Sequence, residues 1–149
     1  MAASDIIAEW LVATFSADPV TVANLAKRPD APTAPGLYEG LKATGAAYPH
    51  IVWAMLANTS SQIVGGVEVV SVSTVQVRVT DTAASYGGRL ETVLGRIKAL
   101  LHRRANVVTM RGAVVACTVG PEYKMTEIDN GVQYRHRGYA FTIITQEAP

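Results

Sequence analysis

Charged residues are scarce in this 149-residue chain: they make up 17% of it, against about 25% in a typical soluble protein. Hydrophobic residues make up 49%, and the formal net charge is +1. A disordered chain needs low hydrophobicity and high net charge, so this composition excludes disorder. The small net charge also gives little steering toward nucleic acid or anionic lipid. Because buried interfaces are depleted in charge, the composition favours an oligomer over a monomer with an Ala-, Thr- and Ser-rich surface.

Cysteine is nearly absent as well, since Cys117 is the single one. One cysteine cannot form an internal disulfide or a cysteine-rich metal site. It lies in the apolar run 113–119, where a thiol is typically an inert small hydrophobe rather than a nucleophile.

Targeting signals are missing from the sequence too. The N-terminal residues include Asp5 and Glu9 where a secretory signal needs positive charge. No apolar run approaches the ~20 residues that span a bilayer. We therefore expect a protein made in the cytoplasm, without a membrane partner.

Catalytic motifs are the last absence. None of the three histidines, His50, His102 and His136, has a second ligand at the spacing of a metal motif such as HExxH. The glycines of 85–88 lack the phosphate-binding P-loop pattern. The carboxylates are scattered, and no pair is placed as an acid/base couple. The sequence thus predicts no enzyme, no catalytic residue, no metal and no cofactor.

Three stretches are predicted to be helical. Residues 4–16 have apolar side chains at helical spacing, and residues 85–104 carry a longer apolar stripe opposite basic side chains. A short helix begins at Asp18, a favoured N-cap before proline. Its buried side is expected to consist of four residues: Val20, Val22, Ala23 and Leu25.

Extended segments fill most of the rest. The prolines of 28–36 predict an extended loop, residues 50–56 a strand, and residues 67–80 the clearest strand, in which valines alternate with polar residues. The segment 58–66 between them predicts a mobile loop. The C-terminal third predicts a long hairpin, with strands at 114–119 and 131–145 joined by a tight turn at 129–131. Its apolar face switches near Gly138, and a bulge is one mechanism for such a switch.

These elements predict a single α+β domain over residues 1–149. Its sheet is mainly antiparallel or mixed, and it is packed by the N-terminal helix and one long central helix. The six Lys and Arg residues of 89–111 also raise a nucleic-acid hypothesis. The small net charge favours instead a solvated helix face.

The chain resembles the tail terminator, or tail-completion, proteins of long-tailed bacteriophages and gene transfer agents. The similar features, in order, are ADPVTVANLA ending the first helix, GLYEGL, GAAYPHIVWAML, VQVRVTDTAASYGG running into RLETVLGRIKALLHR, and the closing NGVQYRHRGYAFTIITQE. The resemblance covers nearly the whole chain and rests on this order. The Pro/Ala loop at 28–36 and the hairpin tip near Asp129 are longer than the family pattern.

The resemblance implies a non-enzymatic virion protein with an α/β sandwich fold. Such proteins are assembled in the host cytoplasm and form a hexameric ring that caps the head-proximal end of the tail tube. The ring stops tube polymerisation and provides a head-joining surface. The implied partners are copies of the chain itself, the tail tube protein, head-completion or neck proteins, and a sheath if the tail is contractile; DNA would only pass through the lumen.

Three polar or glycine-rich segments are the predicted contact elements: the loop 59–66, the connection 80–88 and the hairpin tip 122–137. The candidate interface residues in them are Ser61, Gln62, Tyr86, Tyr123, Lys124, Asp129, Asn130 and Arg135. Three alternatives stay open. One is another neck or connector subunit, the second is a small ligand-binding or enzymatic α+β domain, and the third is a nucleic-acid-binding module.

Overall fold

The computed structural model describes residues 2–40, 45–62, 69–82 and 88–148. The helices are α1 (Ala2–Ala17), α2 (Pro19–Asn24) and α3 (Arg89–Leu101), and the strands are β1 (Lys27–Arg28), β2 (Ala31–Pro35), β3 (Leu37–Glu39), β4 (His50–Gln62), β5 (Val69–Thr82), β6 (Ala105–Val108), β7 (Gly112–Asp129) and β8 (Val132–Glu147).

Six of these strands form one mixed sheet in the order β3-β4-β5-β8-β7-β6. The β3–β4 pair is parallel, and every other pair is antiparallel. The predicted α+β class with a mainly antiparallel or mixed sheet agrees with this arrangement. β1 and β2 form a separate two-stranded sheet.

The helices pack on one face of the large sheet. The apolar stripes of α1 and α3 join one buried cluster with the odd-numbered valines of β5, Val75, Val77 and Val79, and with Phe141 and Ile143 of β8. Side chains alternate across a strand, so the even-numbered residues Arg78 and Thr80 lie on the opposite face. The sequence periodicities of both long helices and of β5 are confirmed.

Helix α2 is capped as predicted but buries different residues. Asp18 accepts hydrogen bonds from the backbone N–H of Thr21 at 3.1 Å and from its hydroxyl at 2.6 Å. Thr21 and Leu25 are buried, whereas Val20 and Ala23 are exposed. The prediction of Val20 and Ala23 as buried is therefore wrong, because six residues make too few turns for periodicity to fix which side faces the sheet.

The proline-rich segment 28–36 is more regular than a loop. It contributes the antiparallel pair β1–β2, with Lys27 opposite Pro35 and Arg28 opposite Ala31. Proline is tolerated there because the strands are short edge strands. At an edge, the N–H that proline lacks would not have bonded to a neighbouring strand.

Strand β4 runs further than the predicted strand 50–56. Residues 57–62 pair with 69–74 of β5 after a bulge at Leu56. The predicted loop at 58–66 is thus wrong for residues 58–62, where pairing with a long partner strand outweighs the low apolar content. Residues 63–66 lie outside the described part of the chain, as do residues 67–68 of the predicted strand and 85–87 of the predicted helix.

The C-terminal hairpin is confirmed and is longer than predicted. Asn130 and Gly131 both have positive φ, 49° and 76°, as a type I′ turn requires. The bulge, however, is not at Gly138, which pairs in unbroken register with Arg78. The register shifts lie on the other arm, β7, between Val114 and Ala116 and between Val119 and Glu122.

Candidate assembly surfaces

The end of the β7–β8 hairpin projects past the rest of the sheet. β5 pairs with β8 only as far as the Thr82–Tyr134 pair. Residues 127–133, on the turn side of that pair, are bonded only within this hairpin, among the residues that the structure describes, and we call them the tip. A two-stranded ribbon alone is marginally stable in water. Its exposed apolar side chains, Ile128 and Val132, are 74% and 42% accessible.

The predicted tip residues lie in different surroundings. Asp129 and Asn130 are exposed at the turn, and Lys124 is exposed on β7. Tyr123 lies lower on β7, where its hydroxyl contacts the Met125 sulfur at 3.3 Å and the Arg78 guanidinium lies 5.8 Å from its ring. Arg135 points toward the helices, with Nη1 3.9 Å from Glu91 of α3. The structure therefore brings Asp129 and Asn130 together and separates Arg135 from them.

The predicted contact elements at the other end of the sheet are only partly described. Ser61 and Gln62 lie in β4, opposite Val70 and Val69. Tyr86 lies outside the described residues. Because β3 pairs only with residues 51–53, residues 54–62 of β4 form an outer edge to which no described strand is bonded. This segment contains no charged residue and no proline, the usual devices that protect an edge strand.

A second outer edge lies on β7. Strand β6 pairs with residues 113–116, and the backbone of 103–104 bonds to Cys117. The N–H of Val119 donates to Nδ1 of His102 at 3.1 Å. From residue 120 to residue 129, no described strand covers this edge. Besides the outer sides of the short terminal strands β3 and β6, the described strands thus leave the edges of β4 and β7 open, on opposite sides of the sheet and at different heights along the strands.

The C-terminal end of α3 is strongly basic. Lys98, Arg103 and Arg104 are exposed, and within the described ranges no carboxylate forms an ion pair with any of them. Arg96, two residues before Lys98, is bound instead to Asp18, with Nη2–Oδ1 at 2.8 Å and Nε–Oδ2 at 3.0 Å. That pair ties α3 to the start of α2.

Cys117 is buried in the core, as its apolar run predicts. Burial raises the pKa of its thiol to about 12. The thiolate required for nucleophilic attack is therefore rare at neutral pH. Metal ligands are not clustered either: in the described part of the chain, no group of three or more His, Cys, Asp or Glu side chains could hold a metal ion.

A tyrosine–histidine cluster on the sheet face opposite the helices was not anticipated from the sequence. His50, Thr80 and His136 are register partners on adjacent strands, and Thr80 Oγ1 lies 2.9 Å from His136 Nδ1. The rings of Tyr48 and His50 are 4.9 Å apart. Only strand register brings residues 50, 80 and 136 into one row, and a sequence without long-range pairing information cannot reveal it.

Both buried histidines are expected to make stability depend on pH. Burial lowers the pKa of His50, and burial together with Arg78 lowers that of His136, although Glu127, 3.2 Å from its Nε2, acts the other way. In the unfolded chain these histidines have their ordinary pKa of about 6.5, so they bind protons more readily there than in the folded chain. The free energy of unfolding therefore falls as the pH drops below that value. We expect a lower urea midpoint at pH 5 than at pH 7.5. Replacing His50 and His136 by glutamine should shrink this difference, and an unchanged difference in that double variant would contradict the assignment.

The described helices include none long and apolar enough to cross a membrane.

A recess beside Trp53, lined by Ser4, Ile7, Glu39, Met55 and Val75, has a volume of about 10 Å³. That volume is enough for roughly one water molecule and too small for an organic ligand.

Comparison with known proteins gives a structural likeness but no match in sequence. No known family matches the sequence, and no curated protein matches it. A chain in the solved structure described as the virion of a native gene transfer agent particle is similar, with a TM-score of 0.58 and 13% sequence identity. The match covers 89% of this chain and 90% of that chain. The two chains therefore share a fold over nearly their full lengths, although their sequences differ at most positions.

Proposed function

We propose that this chain is a structural subunit of a tailed virion and acts as its tail terminator. In that role, copies of the chain form a hexameric ring on the head-proximal end of the tail tube. The observation that carries the proposal is the fold shared with a chain of a gene transfer agent virion, because the match leaves only about a tenth of either chain uncovered. The order of sequence segments that resembles tail terminators supports the same role.

The two open sheet edges support a ring. The β4 edge at 54–62 and the β7 edge at 120–129 are different surfaces on opposite sides of the subunit. Contacts between different surfaces of identical subunits are heterologous, and they close into a ring when the rotation between neighbours permits. The low charge content fits a subunit that buries much of its surface against other polypeptides.

Surface complementarity would be the mechanism of termination. One face of the ring binds the last ring of the tube protein and satisfies its exposed contacts. The other face does not repeat the tube surface, so polymerisation stops there. That second face then receives head-completion or neck proteins, while a sheath, if present, contacts the outside. No bond is made or broken, and no cofactor takes part.

The direct test is to produce virus particles without this protein. We expect tails of uncontrolled length beside heads that are not joined to tails. Supplying the wild-type chain in trans should restore both tail length and joining. Tails of normal length beside unjoined, filled heads would overturn the terminator role and assign the chain to a connector instead.

A further inference from the structure

The hairpin tip presents acidic and apolar side chains to solvent. Residues 127–133 carry two carboxylates, Glu127 and Asp129, and no basic residue. Glu127 is half exposed and contacts His136, and Asp129 is exposed. Val132 is the register partner of Asp129, so it lies on the same face of the hairpin as the two carboxylates, and it is 42% accessible. Such a surface calls for a partner that is basic and apolar together.

The same chain carries a surface of that kind. We define the receiving surface as the basic end of α3 together with the β6 edge that follows it: Lys98, Arg103, Arg104, Val108 and Met110. Val108 and Met110 are the two most exposed large hydrophobic residues described, at 83% and 88%. The only carboxylate bonded there, among the described residues, is that of Glu9 from α1, which accepts from the Met110 N–H at the end away from the arginines.

The tip and the receiving surface cannot meet within one subunit. The backbone of 103–104 is bonded to Cys117, twelve residues before Asp129 along β7. At ~3.3 Å per residue, that separation is about 35–40 Å along a continuous strand. A contact between the two surfaces must therefore join two copies of the chain, and it is heterologous because the surfaces differ.

We infer that the tip of each subunit docks on the receiving surface of the next copy, with Glu127 and Asp129 against Arg103 and Arg104. Val132, on the same face as the two carboxylates, then covers the exposed side chains of Val108 and Met110. The charge pairs fix the direction of docking, and the apolar contacts supply buried area. This inference rests on the proposed function only for the closure of such contacts into a ring.

A charge-swap experiment on the purified chain tests the contact. One variant reverses the tip (Glu127→Lys with Asp129→Lys) and another reverses the receiving surface (Arg103→Glu with Arg104→Glu). Each alone is expected to self-associate at least about tenfold more weakly than wild type in sedimentation, because like charges then face each other. An equimolar mixture of the two should recover association, since each variant supplies the complement that the other needs.

Controls keep the outcome interpretable. Lys27→Glu and Glu39→Lys make single charge reversals on β1 and β3, across the sheet, and should leave association unchanged. Asp129→Lys alone keeps the Glu127–His136 contact, so it weakens association without disturbing the fold, as circular dichroism would verify.

Three outcomes would overturn the inference. Charge reversals that leave association unchanged would do so, and so would a wild-type chain that stays monomeric even at about 1 mM. A mixture that fails to recover association does so as well. Tail length in particles is a separate measurement. The docking contact can therefore fail while the terminator role stands, and the terminator role can fail while the docking contact stands.

Discussion

Replacing Gly138 by alanine is expected to destabilise the protein by at least about 3 kcal/mol, the upper end of the usual cost of overpacking. Gly138 lies in β8 between two long strands, opposite Arg78 of β5. A Cβ added there would lie 2.0 Å from the Val77 carbonyl oxygen and 2.6 Å from the Arg78 Cα. Both are backbone atoms in the middle of the sheet, so relief requires separating β5 from β8. Denaturant unfolding of the variant measures the loss.

Gly95 provides the matched control for that substitution. It lies on the exposed side of α3, and a Cβ there would meet nothing within 4 Å. Alanine in a helix interior is favoured over glycine by roughly 0.5–1 kcal/mol, so Gly95→Ala should stabilise the protein. A Gly138→Ala variant as stable as wild type would mean that the two strands are not this close.

Replacing Asp18 by alanine is expected to cost about 3 kcal/mol. The substitution removes the N-cap of α2 and both hydrogen bonds from Arg96, and it leaves that guanidinium without its partner. Asp18 is only 8% exposed, so water replaces these bonds poorly. Thermal unfolding of the variant checks the loss. Asp30→Asn, which breaks an exposed pair with Arg28, should change little by comparison.

The same carboxylate predicts a pH dependence in the acid range. Hydrogen bonds from Arg96, followed by those from Thr21, lower the pKa of Asp18 from 3.8 to about 2. Between these values the unfolded chain binds the proton and the folded one does not. The stability that this carboxylate contributes is therefore complete above about pH 4 and is lost as the pH falls through 2, by about 2 kcal/mol. The Asp18→Asn variant should lack this loss, and an identical acid profile in both proteins would count against the pairing.

Local structure was predictable where one physical signal dominates. The apolar stripe of α3 and the alternation in β5 are strong periodic patterns, and both elements have the predicted type. The Asn130-Gly131 turn was predictable because few other residue pairs adopt two successive positive φ angles. The predicted ends of elements were wrong where pairing with another strand decides the structure. Residues 58–62 have few apolar side chains, yet they continue β4 because they pair with β5.

The candidate surfaces were predictable only in part. A polar tip around Asp129 follows from the sequence, since the segment is long, polar and joined by a tight turn. The orientation of Arg135 toward α3 does not follow, because it depends on which face of β8 the helices cover. The open edges of β4 and β7 were also hidden, since an edge exists only relative to the strand order of the whole sheet.

Composition and periodicity are local properties of the chain, and they were enough to predict an ordered α+β protein with few charged residues. Three relations became visible in the folded chain alone: Asp18 binds Arg96, His50 and His136 lie in one row across the sheet, and the acidic tip lies far from the basic end of α3. Those relations join residues distant along the chain, and strand register and helix packing set them.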